Sequence, residues 1–347
     1  MVAGLCPQRP GYLSTYAAQW TGSVLHYSRL TGDRDVLDSL YPAAERNASA
    51  FEACLAEDGV TDCDAWAFVD WGYVVNEGPS DMALNLHVLE AFRQMVDWSR
   101  ELGKPERATH YAEVAGRLET IIRRWFDVTI PRGWEDVGFQ RAALALRLGL
   151  LVGEEVGAAL SFLKAHMLRC FPNDLTAPRP FDPGMTSTRL ITPYFAHYSL
   201  PTLIENGEMD FVLDQVRVCW GYALSLGITT SIEVFDTRWS QCHQWAACPT
   251  WQLSRYVLGL WPRFDLGAGD FDFKLIPGSL PRASGKVPLP DGGLIEVSWH
   301  RSGERIEYRL ASPRGLRLHV GDRVLEVGAR GALILAPSGP EWIPTSL

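Results

Sequence analysis

Few side chains in this sequence stand where chemistry would need them. Glu233 follows the turn-prone Gly227 and two threonines, Thr229 and Thr230. A carboxylate so placed serves as a general base, or it is a solvated group that the dipole favours near a helix start. Asp70 lies between Val69 and Trp71 in an apolar stretch. If buried there, it must be paired or face a ligand, unless it merely caps the next turn. Trp66 and Trp71 bracket it; their rings suit the apolar face of a sugar, and they suit a protein core equally well. His243 and Trp245 fall at the start of an expected helix, where a histidine is either a site group or a satisfied structural one. One base, Glu233, with Asp70 and His243 as polar anchors implies removal of a proton from a hydroxyl or an amine. Asp236 and Glu77 are weaker candidates, expected to be solvated. Asp62 and Asp64 flank Cys63 and read as an exposed acidic loop rather than a metal site.

The elements that must position these residues are mostly helices. Apolar residues recur at helical spacing over Tyr12–Leu30, and Asp33 opens a second helix to about Ala56. A loop carries Trp66 to Trp71. Ser80 reads as the N-cap of a helix ending near Gly103, and Pro105 starts another that runs to about Asp127. Further helices are expected over Trp134–Leu151, Glu154–Leu168, Thr192–Glu205, Met209–Leu226 and Ser240–Leu258, with a proline-rich loop from Phe171 to Pro183. Thr31-Gly32-Asp33, Leu102-Gly103-Lys104 and Asn206-Gly207-Glu208 each read as a glycine C-cap followed by a polar start. About nine helices in antiparallel succession build a closed (α/α) toroid or an open solenoid, and the lack of a fixed repeat period weighs against the solenoid. After Pro262 the pattern becomes short alternating runs between Gly, Pro and Asp turns: Val287 to Trp299, Arg305 to Leu310, Leu316 to Val320, Val324 to Val327 and Ala332 to Leu335. The expectation is a helical domain over 1–262 and a small antiparallel β-sandwich over 263–347.

Composition excludes several classes of function. The 347 residues carry a net charge of -9, which argues against a nucleic-acid partner. No apolar stretch is long enough to span a bilayer, and the first ten residues lack the charged and apolar regions of a secretory signal, so a cytoplasmic protein without a membrane partner is expected. The seven cysteines are odd in number and show neither a disulfide framework nor zinc-ligand spacing, so no metal is expected. No phosphate loop or dinucleotide fingerprint occurs, so no cofactor is expected.

The motifs, taken together, resemble those of glycoside hydrolase family 78, the α-L-rhamnosidases. Trp66-Ala67-Phe68-Val69-Asp70-Trp71-Gly72 is similar to that family's W-x-F-[VI]-D-W segment, and Ile191-Thr192-Pro193-Tyr194-Phe195 resembles its T-P-Y-F. Gly227-Ile228-Thr229-Thr230-Ser231-Ile232-Glu233 resembles G-[AM]-T-T-x-W-E, and Cys242-His243-Gln244-Trp245 begins a match to C-H-x-W-S-A-x-P. The resemblance covers nearly the whole chain, in the family's order, and implies an (α/α)6 barrel followed by a β-sandwich. It implies an inverting mechanism in which one carboxylic acid protonates the leaving oxygen and a second carboxylate activates water. Glu233 would be that general base; Trp66, Asp70, Trp71, His243 and Trp245 would line the sugar pocket.

Two departures qualify what the resemblance implies. The family's general acid lies in an Arg/Asp/Glu-rich stretch ending in G-W-x-G-D, and the sequence is expected to begin after it; the faint echo at Cys6 to Leu13 holds no acidic residue. The tryptophan of T-T-x-W-E is Ile232, so a stacking surface beside the base is expected to be lost. The expected function is therefore a divergent rhamnosidase-like subunit, acting on a sugar-like or polar small molecule and completed by a second protein chain or by a homodimer. The alternatives are a repurposed subunit of a heteromeric biosynthetic enzyme, which closes a ring such as an aziridine with release of sulfate, and a non-catalytic sugar-binding or scaffold protein.

Overall fold

The computed structural model describes residues 13–61, 67–75, 81–179 and 189–346. The chain is mainly helical as far as α10, with two short hairpins between its second and third helices, and forms strands after that, the expected class. The helices are α1 (Ser14–Thr31), α2 (Asp35–Ala53), α3 (Met82–Glu101), α4 (Pro105–Thr129), α5 (Trp134–Val137), α6 (Phe139–Arg147), α7 (Glu154–Leu168), α8 (Ala196–Glu205), α9 (Met209–Ser225) and α10 (Cys248–Gln252). Among the described residues, no helix is long and apolar enough to cross a membrane. By its contacts the chain divides into two compact units. One comprises residues 1–25, 35–202 and 218–246; the other comprises 26–34, 203–217 and 247–347.

In the first unit α3 is the central element. Most of its residues are buried, among them Leu86, Val88, Leu89, Phe92, Met95 and Trp98. Trp98 is fully buried, its indole N–H donating to the Leu37 carbonyl at 3.1 Å while the rings of Trp20 and Tyr41 pack against it at 6.3 and 5.9 Å. The N-cap of α3 is Asp81, one residue beyond the expected Ser80. Its Oδ1 accepts from the N–H groups of Ala83 and Leu84 at 2.8 and 3.3 Å, and Oδ2 accepts from the Tyr73 hydroxyl and the Arg141 guanidinium at 2.7 and 3.2 Å. A carboxylate satisfies orphan amide donors and complements the dipole where a hydroxyl would do only the first.

Where expected helices break, the cause is local. Gly32, Gly103 and Gly207 follow α1, α3 and α8 with the left-handed backbone of a C-cap, φ 78°, 66° and 87°. The helix expected over Trp134–Leu151 is interrupted at Gly138, φ 84°, which separates α5 from α6. The start of α8 is delayed from Thr192 to Ala196, because Thr192 turns its hydroxyl onto the Phe195 amide at 3.0 Å. The largest correction concerns Ser240–Leu258. Residues 240–243 are not helical, a 3₁₀ turn covers Gln244–Ala247, α10 is short, and Leu253–Val257 is a π-turn. Pro249 has no N–H and clashes with a preceding helical turn, so it is tolerated only in the first turn of α10.

The Trp66 to Trp71 segment, expected as a loop, is partly a strand. β3 (Ala67–Asp70) pairs antiparallel with β4 (Tyr73–Val75), preceded by the small hairpin of β1 (Leu55–Ala56) and β2 (Gly59–Val60). In the second unit, β5 (Leu260–Pro262), β6 (Asp270–Phe273), β10 (Leu316–Val320) and β11 (Arg323–Val327) form a sheet in the order β11-β10-β6-β5. It contains one parallel pairing, β6 with β10. A five-stranded antiparallel sheet runs β13-β12-β9-β8-β7, from β7 (Arg282–Pro288), β8 (Leu294–Ser302), β9 (Arg305–Ala311), β12 (Arg330–Ser338) and β13 (Glu341–Ser346). The expected run Val287–Trp299 is thus two strands, separated at its own Pro-Asp-Gly-Gly turn. Phe273 of one sheet meets Tyr308 of the other at 5.3 Å, edge to face, in the core of a sandwich.

The weight placed on Trp98 sets a prediction. Trp98→Ala is expected to destabilise the fold by about 3–5 kcal/mol, whereas truncating the exposed Val152 to alanine stays within about 0.5 kcal/mol. Urea denaturation of both variants checks this; equal midpoints would remove α3 from the centre of the core.

Candidate active site

The β3–β4 hairpin turns at Trp71-Gly72, with Gly72 at φ 75°, and its register sets Asp70 opposite Tyr73. Asp70 is completely buried. Its Oδ1 accepts from the Thr192 hydroxyl at 2.5 Å and from the Trp71 amide at 2.8 Å; its Oδ2 accepts from the Gln140 amide at 3.1 Å. One carboxylate thereby ties the hairpin to α6 and to the turn before α8. Burial pushes its pKa up and the three donors pull it down, for a net value of about 7. The preceding Phe68 carbonyl is held by the Thr15 hydroxyl of α1 at 2.6 Å.

Glu233 lies in the irregular loop after α9. The Glu233 amide donates to the Ser240 carbonyl at 2.9 Å, the Ser240 amide donates back to Glu233 Oε2 at 3.3 Å, and the His243 amide donates to the Ser231 carbonyl at 2.8 Å. These bonds draw the loop into a narrow hairpin with both titratable groups at its base: His243 Nδ1 lies 3.8 Å from Glu233 Oε2. The Glu233 side chain is 13% exposed and that of His243 32%, so both are reachable from solvent. Trp245 is fixed at both ends, its indole donating to the Glu233 carbonyl at 3.0 Å and its own carbonyl accepting from His197 at 2.7 Å. Burial lowers the His197 pKa, which keeps that imidazole neutral.

Aromatic rings join the two halves. Phe68 packs against Tyr16, Tyr194, Trp71 and Trp245 at 6.0, 5.6, 6.3 and 6.2 Å. Trp245 lies 4.1 Å from the His243 ring, and Trp239 of the Glu233 loop lies 4.7 Å from Trp71. The Tyr16 phenol is pushed up to about 12 by burial and by the carboxylates of Asp70 and Glu233, so it stays neutral. All these residues belong to the first unit.

The structure therefore brings Asp70, Trp71, Glu233, His243 and Trp245 into one cluster, while Trp66, Glu77, Asp62 and Asp64 lie outside the described residues. His243 and Trp245 stand on irregular and 3₁₀ backbone rather than on a helix. Trp71 is 7% exposed, and its indole nitrogen has no partner among the described residues, so it offers little surface. Asp236, expected to be solvated, is buried: burial alone would raise its pKa, but a two-pronged ion pair with Arg238, as close as 2.7 Å, holds it below the usual range. Sequence reasoning missed Tyr16, Gln140 and Trp239, which lie in no motif. Phe68, Thr192 and Tyr194 stood inside quoted motifs without being singled out. Among the described residues, no three His, Cys, Asp or Glu side chains are grouped to hold a metal ion.

Residues 3–257 match the family described as bacterial alpha-L-rhamnosidase 6 hairpin glycosidase domain. None of the curated proteins matches the chain. Solved structures with the same fold include the GH78 family rhamnosidase of Bacillus sp. GL1, with TM-score 0.71 and 21% identity, over 89% of this chain and 33% of that one. The α-L-rhamnosidase of Aspergillus terreus gives 0.66 and 19%, over 91% and 38%. A rhamnosidase from Klebsiella oxytoca with rhamnose bound gives 0.57 and 19%, over 73% and 50%. The chain thus spans between a third and a half of the length of these relatives.

The state of Asp70 is open to titration. Its folded pKa of about 7 lies above the ordinary 3.8, so between those values the folded chain holds a proton that the unfolded chain has released. Stability supplied by this group is complete below pH 3.8 and is lost as pH rises to 7, by about 4 kcal/mol in all. Asp70→Asn does not titrate and is expected to lose less stability than the parent between pH 4 and pH 8. Denaturant midpoints across that range test it; parallel curves would mean that Asp70 is ionised throughout.

Proposed function

The chain belongs to the bacterial α-L-rhamnosidase six-hairpin glycosidase domain family, and on that premise we propose that it is an enzyme subunit in which Glu233 is the general base. The observation that carries this is the base of the loop, where a partly exposed carboxylate and an imidazole stand 3.8 Å apart beside Trp245. In hydrolysis, Glu233 takes a proton from water as the water oxygen bonds to the anomeric carbon and the bond from that carbon to the leaving oxygen breaks. His243 orients the carboxylate or a ligand hydroxyl, and Trp245 gives the imidazole a ring to rest against.

The departing oxygen also needs a proton. Two further carboxylates of the cluster and its loop are closed to it, Asp70 by complete burial and Asp236 by its fork with Arg238. We assign the donor to residues outside those described, supplied by a second polypeptide that completes the site. The same observation favours a second reading, in which the leaving group departs as a stable anion and needs no acid. Glu233 would then remove a proton from an amine or hydroxyl; its nitrogen or oxygen bonds to a carbon of the same molecule, and the bond from that carbon to a sulfate breaks. Ring closure of this kind belongs to natural-product biosynthesis.

Glu233→Gln in the native assembly is expected to lower turnover by about 10²–10⁴-fold while ligand affinity changes little. Turnover equal to the parent would remove Glu233 as the base. The intact mass of the complex purified from its own cells is expected to include a second chain in stoichiometric amount; a monomer would contradict completion in trans.

A further inference from the structure

We propose that the outer face of the five-stranded sheet is a binding site for a small polyhydroxylated carboxylate, such as a sugar acid, with Arg309 and Arg330 as its anion clamp. The site lies wholly within the second unit and does not depend on Glu233. Strands β7, β8, β9 and β12 build it. Their inward side chains, among them Val297, Tyr308 and Leu333, fill the core, so strand alternation turns the intervening ones outward. On that outer side the sheet forms a concavity of about 640 Å³, a size suited to a small molecule.

The register sets what the concavity offers. One row across the four strands reads Ser284, Ser298, Arg309 and Ala332; the next reads Lys286, Glu296, Ala311 and Arg330. Three cations and one carboxylate therefore line it, on a chain whose net charge is -9. Glu296 is engaged by Lys286 at 3.3 Å. Arg309 meets a carboxylate only at 3.9 Å, that of Glu307, and the Arg330 guanidinium has no ion-pair partner among the described residues. Arg309 pairs with Ala332, two residues beyond Arg330, so the two arginines are diagonal neighbours on one face. Side chains of that length reach a common point from diagonal positions, and their planar forks match a carboxylate.

The rest of the lining says what the carboxylate is attached to. The hydroxyls of Ser284 and Ser298 and the carboxylate of Glu296 stand beside the clamp and suit ligand hydroxyls. Glu296 opposes a second negative charge, which disfavours a polyanion or a dianionic phosphate. No aromatic ring lines the concavity among the described residues, so a neutral sugar has no stacking surface there. The outward rows of charged residues, serine and alanine also lack the apolar centre of a protein interface.

The test is a calorimetric titration of the native assembly with D-glucuronate, with D-glucose and with inorganic phosphate. D-glucuronate is expected to bind, D-glucose about tenfold more weakly or less tightly still, and phosphate not to displace the sugar acid. Joint replacement Arg309→Ala and Arg330→Ala is expected to weaken D-glucuronate binding by about tenfold or more. Arg323→Ala, at an exposed arginine of the other sheet, is expected to leave it unchanged. Parent-like binding by the double variant would overturn the clamp. Equal binding of D-glucose, displacement by phosphate, or no binding of D-glucuronate by the parent would each overturn the assignment of the ligand class.

Discussion

The buried carboxylate of Asp70 is the constraint on which the rest of the site depends. A carboxylate removed from water must find donors inside the fold. Here the donors come from three separate parts of the chain: the hairpin's own Trp71 amide, Gln140 of α6 and Thr192 before α8. Satisfying one side chain therefore fixes the hairpin against two helical segments. Thr192 passes the constraint on, since its hydroxyl also accepts the Phe195 amide and so delays the start of α8. Tyr194, between them, is thereby held against Phe68 and Trp245.

From that anchor the chemistry is reached through rings rather than charges. Phe68 contacts both the Asp70 side of the cluster and Trp245, which in turn is bonded to the Glu233 backbone and lies against His243. Aromatic contacts of this kind are stiff and apolar, and beside them the Glu233–His243 pair is polar and partly exposed. A base on an irregular loop is thus held with the precision usually associated with a helix or strand, because each end of the loop is tied to the packed wall behind it.

What was legible in the sequence follows the range of the interactions. Helix ends marked by Gly32, Gly103 and Gly207 rest on contacts within a few residues and read correctly. The Ser240–Leu258 segment reads as one helix because its apolar spacing is helical, but Pro249 and the tied loop before it leave only short pieces. The Trp66–Trp71 stretch reads as a loop, although Phe68, Trp71-Gly72 and Val74 carry the marks of a tight hairpin. Glu233, Asp70 and His243 were found through motif resemblance. Trp239 was not, because its partner Trp71 is distant along the chain and no spacing rule links them. Gln140 is missed for the same reason: its value lies entirely in reaching a carboxylate 70 residues away.

The account is tested most directly by a crystal structure of the native assembly soaked with L-rhamnose. It predicts the sugar in the first unit, with a ring hydroxyl within hydrogen-bonding distance of Glu233 and His243. A sugar bound instead on the outer face of the five-stranded sheet, in the concavity of about 640 Å³ lined by Ser284, Ser298, Arg309 and Arg330, with the Glu233 cluster empty, would contradict it.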